Sequence, residues 1–159
     1  MAADFSLMPT ISLTLNVRAN DGSTDNQLIG PTGGDVYVEL NRGFNCVIPS
    51  FGVAICTPHP AKGGFTVETT LEEDGQFPSS QDPTGPAPLY RLGRPTDLLN
   101  RCIVIVTSAA TDSGTSGSIS VIVRLLEQNA DQTFRRIAWT DDSAQAIQLQ
   151  SRFEVDILP

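Results

Sequence analysis

Asp21, Ser23 and Asp25, in the stretch ANDGSTDNQ, carry side-chain oxygens at positions i, i+2 and i+4. That spacing opens a calcium loop, because alternate residues of a tight turn can aim oxygen atoms at one hard cation. The sixth position of such a loop is Asn26 here instead of glycine, and the twelfth is Thr32 instead of a bidentate glutamate. An EF-hand is therefore excluded. What remains is a looser β-loop site for calcium, set against the plain reading of an ordinary hairpin turn. A second place for calcium is the polar run TDSGTSGS, 111–118, whose one carboxylate is Asp112. One carboxylate with hydroxyls and carbonyls makes a weak site. The expectation is a chain without an obligate cofactor, with calcium the one ion its loops are equipped to hold.

Other chemistries find fewer residues. Nucleophilic triads and dyads need an imidazole, and His59, between Pro58 and Pro60, is the only one. Zinc knuckles need four Cys or His at short spacings, which Cys46, Cys56 and Cys102 do not provide. Cys46 and Cys56 could face each other across a hairpin, but without a secretory signal buried free thiols are expected. Glycoside hydrolysis needs two carboxylates converging from either side of a cleft. Glu72, Glu73 and Asp74 are contiguous, as are Asp141 and Asp142, and neighbours along a strand point to opposite faces. No enzymatic activity is expected.

The chain has 159 residues, the size of one ordinary domain able to bury a core without staples. Its formal charge is −8 and Lys62 is the single lysine. Direct binding to a phosphate backbone is not expected, because that affinity comes from clustered cations, and neither is a polybasic membrane contact. The opening MAADFSLMPTISLTL has an acidic residue at position 4, no basic start and no long apolar run. Synthesis without export is expected, and both terminal segments are expected to be held.

The elements that would position any site read as strands. Ile11, Leu13, Leu15 and Val17 alternate with polar residues, as do Val36, Val38 and Leu40. The same period runs through GFTVETTL, SISVIVRLL and TFRRIAWT, the last placing Ile137 and Trp139 on one face. RCIVIVT is apolar on both faces, which suits a central strand. It is expected to form a long hairpin with SISVIVRLL. AIQLQSRFEVDIL is the longest candidate strand, and CVIPSFGVAI is expected as two short strands broken at Pro49. RPTDLLNR allows one helical turn capped by Thr96. The segment 72–88 is the longest irregular piece. With 13 glycines and 11 prolines concentrated between these blocks, the pattern predicts an all-β fold. The expected architecture is an antiparallel β-sandwich of jelly-roll or Greek-key type with about eight or nine strands.

Two functional classes follow. The fragments SGSISV, 116–121, and GRPTDL, 93–98, resemble pieces of small soluble bacterial calcium-dependent lectins. The acidic calcium cluster of those lectins has no counterpart around either fragment, so the resemblance implies carbohydrate binding as the alternative reading only. The leading expectation is a non-enzymatic structural protein, homo-oligomeric or bound to another shell or coat protein. By analogy of type it is similar to virion-surface and capsid-decoration components. The polar strand face of Gln148, Gln150 and Arg152 is a surface suited to such packing.

Overall fold

The computed structural model describes residues 10–19, 27–28, 34–43, 46–59, 61, 63–77, 89–111 and 113–158. The strands are β1 (Thr10–Ala19), β2 (Gln27–Leu28), β3 (Val36–Arg42), β4 (Cys46–Pro58), β5 (Phe65–Phe77), β6 (Leu89–Gly93), β7 (Cys102–Thr111), β8 (Gly117–Gln128), β9 (Phe134–Ala146) and β10 (Gln148–Leu158). One helical turn, α1 (Pro95–Leu98), lies between β6 and β7. The larger sheet has the order β2-β1-β10-β7-β4-β5 and the smaller the order β6-β3-β8-β9. Pairing is antiparallel except where β1 runs parallel to β10 and to β2. The fold is the expected all-β sandwich, with non-consecutive strands such as β3 and β8, or β4 and β7, side by side.

The period-two pattern works as the physics requires. In β3 and β10 every second residue is buried. Val38, Leu40, Ile103, Ile105, Val123, Leu125, Phe153 and Val155 meet between the sheets in one apolar cluster. Burial of such side chains stabilises the fold by about 1.5–3 kcal/mol each.

Four local expectations are corrected by the topology. First, β7 and β8 do not form a hairpin. They lie in opposite sheets, and the residues between them arch across the sandwich. The arch is tied where Thr111 Oγ1 donates to the Thr115 carbonyl at 2.8 Å. The hairpin partner of β8 is β9. Arches and hairpins use the same polar, glycine-rich residues, so composition cannot tell them apart.

Second, β4 is continuous through Pro49. Its register with β7 shifts between Val47 and Ser50, so the residue lacking an N–H sits in a bulge instead of ending the strand. The shift also reverses the facing of everything after it: Cys46 and Ile48 point inward, and so do Phe51 and Val53. Third, the 72–88 segment begins as strand, since β5 runs to Phe77, and 78–88 lies outside the described residues. Fourth, α1 starts with Pro95 at its first turn and Arg94 at the cap without a side-chain hydrogen bond, so Thr96 is inside the turn and not its cap.

The expected C-terminal strand is found as β10, shorter by two residues at its start. β9 ends at Ala146 in the smaller sheet and β10 begins at Gln148 in the larger one. Ile147 makes the crossing and is left exposed, with its carbonyl accepting from Thr111 N–H at 3.1 Å.

Candidate functional site

The outer face of the larger sheet gathers the groups with chemistry. Cross-strand register aligns Asn16 of β1, Asp156 of β10, Cys102 of β7, Cys56 of β4 and Val67 of β5 in one row. The adjacent row runs Thr14, Glu154, Val104, Ala54. Because alternate residues share a face, Glu154 and Asp156 stand together beside Cys102. A carboxylate oxygen of each and the Cys102 sulfur lie within 4.8 Å of one another.

The two thiols are fully buried and hydrogen-bond to each other. Burial pushes Cys102 up to about 12, and the neighbouring Cys56, Glu154 and Asp156 add to the rise. Burial also raises Cys56, opposed in part by the hydrogen bond from Cys102. Asp156 is raised to about 6, first by burial and then by the charge of Glu154 and a hydrogen bond with it, against the pull of Arg152. Arg152 Nη2 donates to Glu154 Oε1 at 2.7 Å. Its guanidinium also sits 5.7 Å from the Phe65 ring.

Two cavities open on this face. One, of about 740 Å³, is lined by His59, Phe65, Cys102, Arg152, Glu154 and Asp156 among others. The other, of about 390 Å³, has Ala54, Cys56 and Val104 on its floor and Phe65, Val67 and Val106 at its edge. At the rim, Glu68 accepts from Arg101 Nε at 2.8 Å and from the Thr57 hydroxyl. His59 in the β4–β5 connection contacts Thr66 Oγ1 through Nε2.

The predicted calcium ligands Asp21, Ser23, Asp25 and Asp112 all lie outside the described residues. Cys46 and Cys56 cannot face each other across a hairpin, because both belong to β4. Cys56 is instead opposite Cys102, and all three cysteines are buried. Asp141 and Asp142 do point to opposite faces. Asp141 is exposed and accepts from Ser120 at 2.8 Å, whereas Asp142 is buried. Glu72 accepts from the Tyr90 hydroxyl at 3.0 Å, which together with burial raises the phenol to about 12.

Trp139 is the clearest reversal. The β8–β9 register shifts between Leu125 and Leu126, so Ile137 and Ala138 are both buried and Trp139 turns outward, 41% exposed. A bulge of one residue moves every following side chain to the other face. Arg136 lies over the ring at 3.7 Å from its centre.

Sequence reasoning missed the thiol–carboxylate cluster. Its one local signal is the alternate acids of EVD at 154–156; Cys102 lies 52 and 54 residues before them and Cys56 98 and 100, joined only by sheet register. No protein-family model matches the chain, no curated protein matches it, and no solved structure matches it.

Proposed function

We propose that the protein is a non-enzymatic structural component that assembles through the outer face of its larger sheet, with further copies of itself or with another shell protein. The observation that carries this reading is the exposure of Phe65, Val67 and Val106 around one cavity on that face, at 36%, 50% and 46%. An outward sheet face that meets only water is ordinarily polar, and clustered apolar groups rimmed by charge mark contact surfaces. The polar rim is present in Gln150, Arg152 and the Arg101–Glu68 pair. The net charge of −8 supports a place away from nucleic acid, as on the outside of a particle.

Sedimentation of the full chain tests it. The wild type is expected to sediment as an oligomer, and a Val67→Asp/Val106→Asp variant as a folded monomer. A wild type that stays monomeric at high concentration and binds no shell protein would remove the reading.

A second reading, carbohydrate binding, draws on Trp139, since an exposed indole beside Arg124 and Asp141 is the kind of platform on which a sugar stacks. Arg136 already covers the ring, so a sugar must share or displace that contact. A glycan array probed with wild type and Trp139→Ala decides it: binding lost in the variant supports it, and an empty array removes it.

A further inference from the structure

We propose that Cys102, Glu154 and Asp156, with a solvent oxygen from the adjoining cavity as the fourth ligand, form a binding site for a divalent transition-metal cation, zinc in the first place. This site is independent of the assembly reading, though it lies on the same sheet face.

The donor geometry comes first. Tetrahedral zinc, with bonds of about 2.0–2.3 Å, holds its ligand atoms about 3.3–3.8 Å apart. The sulfur of Cys102 and the two carboxylate oxygens are already within 4.8 Å of one another. Closing the remaining gap takes rotation about side-chain bonds, with no change in the strands. The three donors stand on the adjacent strands β7 and β10, so sheet hydrogen bonding fixes their spacing. Cys56 stands on the far side of Cys102 in the same cross-strand row, too far from Asp156 to share the ion, and hydrogen-bonds to the Cys102 sulfur as its neighbour.

A second observation points to a missing partner. Asp156 Oδ1 is shut off from solvent and has no hydrogen-bond partner among the described residues. A carboxylate oxygen in that position costs free energy unless a donor or a cation meets it. The cavity of about 740 Å³ reaches Cys102, Glu154 and Asp156 from outside and gives an ion its path.

The donor types choose the metal. Calcium and magnesium take oxygen ligands, whereas thiolate with carboxylate suits zinc and its neighbours. Binding requires the Cys102 thiol to lose its proton to solvent, so occupancy rises with pH. No redox step is involved. Arg152, bonded to Glu154 Oε1, orients the carboxylate. The Arg152 charge also offsets part of the negative charge that one thiolate and two carboxylates leave around one divalent ion. His59 lines the same cavity, but its Nε2 is engaged with Thr66.

Cobalt titration of the full chain, reduced and stripped with a chelator, reads the site directly. One cobalt ion per chain is expected, with sulfur-to-cobalt charge-transfer absorption and the visible bands of a tetrahedral centre, both abolished by zinc. The Asp156→Asn/Glu154→Gln variant, which keeps both thiols and the packing around them, is expected to lose the tetrahedral spectrum while retaining its circular dichroism. Cys102→Ser is expected to lose the charge-transfer absorption, and Cys56→Ser and Cys46→Ser to keep it. The proposal is overturned by a wild type that gives no charge-transfer band in excess cobalt while its thiols remain reduced. It is overturned equally by an unchanged spectrum in the double carboxylate variant.

Discussion

The hydroxyl of Ser151 on β10 donates to the carboxylate of Asp142 on β9, so one hydrogen bond crosses from sheet to sheet inside the sandwich. The other oxygen of Asp142 accepts from Thr140 Oγ1 at 2.7 Å. Both hydroxyls and the carboxylate are buried. Asp142→Ala strands two hydroxyls among apolar neighbours and is expected to cost about 1–3 kcal/mol in urea unfolding. Because the partners form one unit, Asp142→Ala/Ser151→Ala is expected to lose less than the sum of the single changes. Strict additivity would show that the pair does not couple the sheets.

The thiols make a kinetic prediction. Burial holds Cys56 and Cys102 well above the range in which a thiolate forms near neutral pH, and Cys46 is buried on the opposite, core-facing side of the same strand. Thiolate is the reacting species, so native protein is expected to react slowly with a disulfide reagent at pH 8 and at the rate of unfolding when urea is added. Prompt labelling of Cys102 in native buffer would mean that the cavity beside it admits the reagent without unfolding.

The places of β1, β3, β8 and β10 were readable from period two, because each buried face demands an apolar residue at every second place; the short strands β2 and β6 were missed, being too brief to show a period. The β3 and β10 alternations are seen in the structure as the sequence has them. What the period does not carry is the bulge. The bulges at Pro49 and at the Leu125–Leu126 shift each insert one residue: the first turns Cys56 outward, and the second overturns the expected shared face of Ile137 and Trp139, leaving Trp139 exposed. Pro49 carries a visible signal, since a strand that keeps a proline must spare a hydrogen bond there. Nothing in TFRRIAWT marks its bulge. Sheet partnership was beyond reach for a different reason. Whether a polar loop folds back or arches over depends on packing far from the loop, and the same packing brought Cys102 to Glu154 and Asp156.

Gly34 gives a test of close approach. A Cβ placed there would lie 1.9 Å from the Gln128 carbonyl oxygen, beside the hydrogen bond from Gln128 N–H to the Asp35 carbonyl that closes the β3–β8 edge. Backbone must move to accept it, so Gly34→Ala is expected to cost about 1–3 kcal/mol. Gly63 is the contrast. It has φ +75° and open space around the would-be Cβ, so alanine there meets only backbone strain, about 1 kcal/mol. Equal losses at the two positions, read from urea midpoints, would contradict the close contact at Gly34.

Asp156 sets a pH dependence that runs opposite to the usual carboxylate. Its folded pKa is about 6, against 3.8 for the ordinary side chain. The groups facing it are Glu154 on its own strand, Cys102 on β7 and Asn16 on β1, with Arg152 the nearby cation. Between these two values the folded state binds more protons than the unfolded state, so stability falls as pH rises from about 4 through about 6 and is flat above. Asp35, Glu68 and Asp131 have the reverse sign. Hydrogen bonds from Arg91, Thr57 and Thr133 lower their values, so their contribution is present above the ordinary range and fades as pH drops below it. Glu68 and Asp131 are exposed and Asp35 is half-buried, so solvent screens all three and Asp156 is expected to dominate the slope between pH 4 and 6. With chelator present, Asp156→Asn is expected to flatten that slope and to raise the melting temperature at pH 7. With zinc added instead of chelator, the order at pH 7 is expected to reverse, because only the wild type gains a ligand. A wild type whose melting temperature climbs steadily from pH 4 to 7 in chelator would show that Asp156 ionises at its ordinary value.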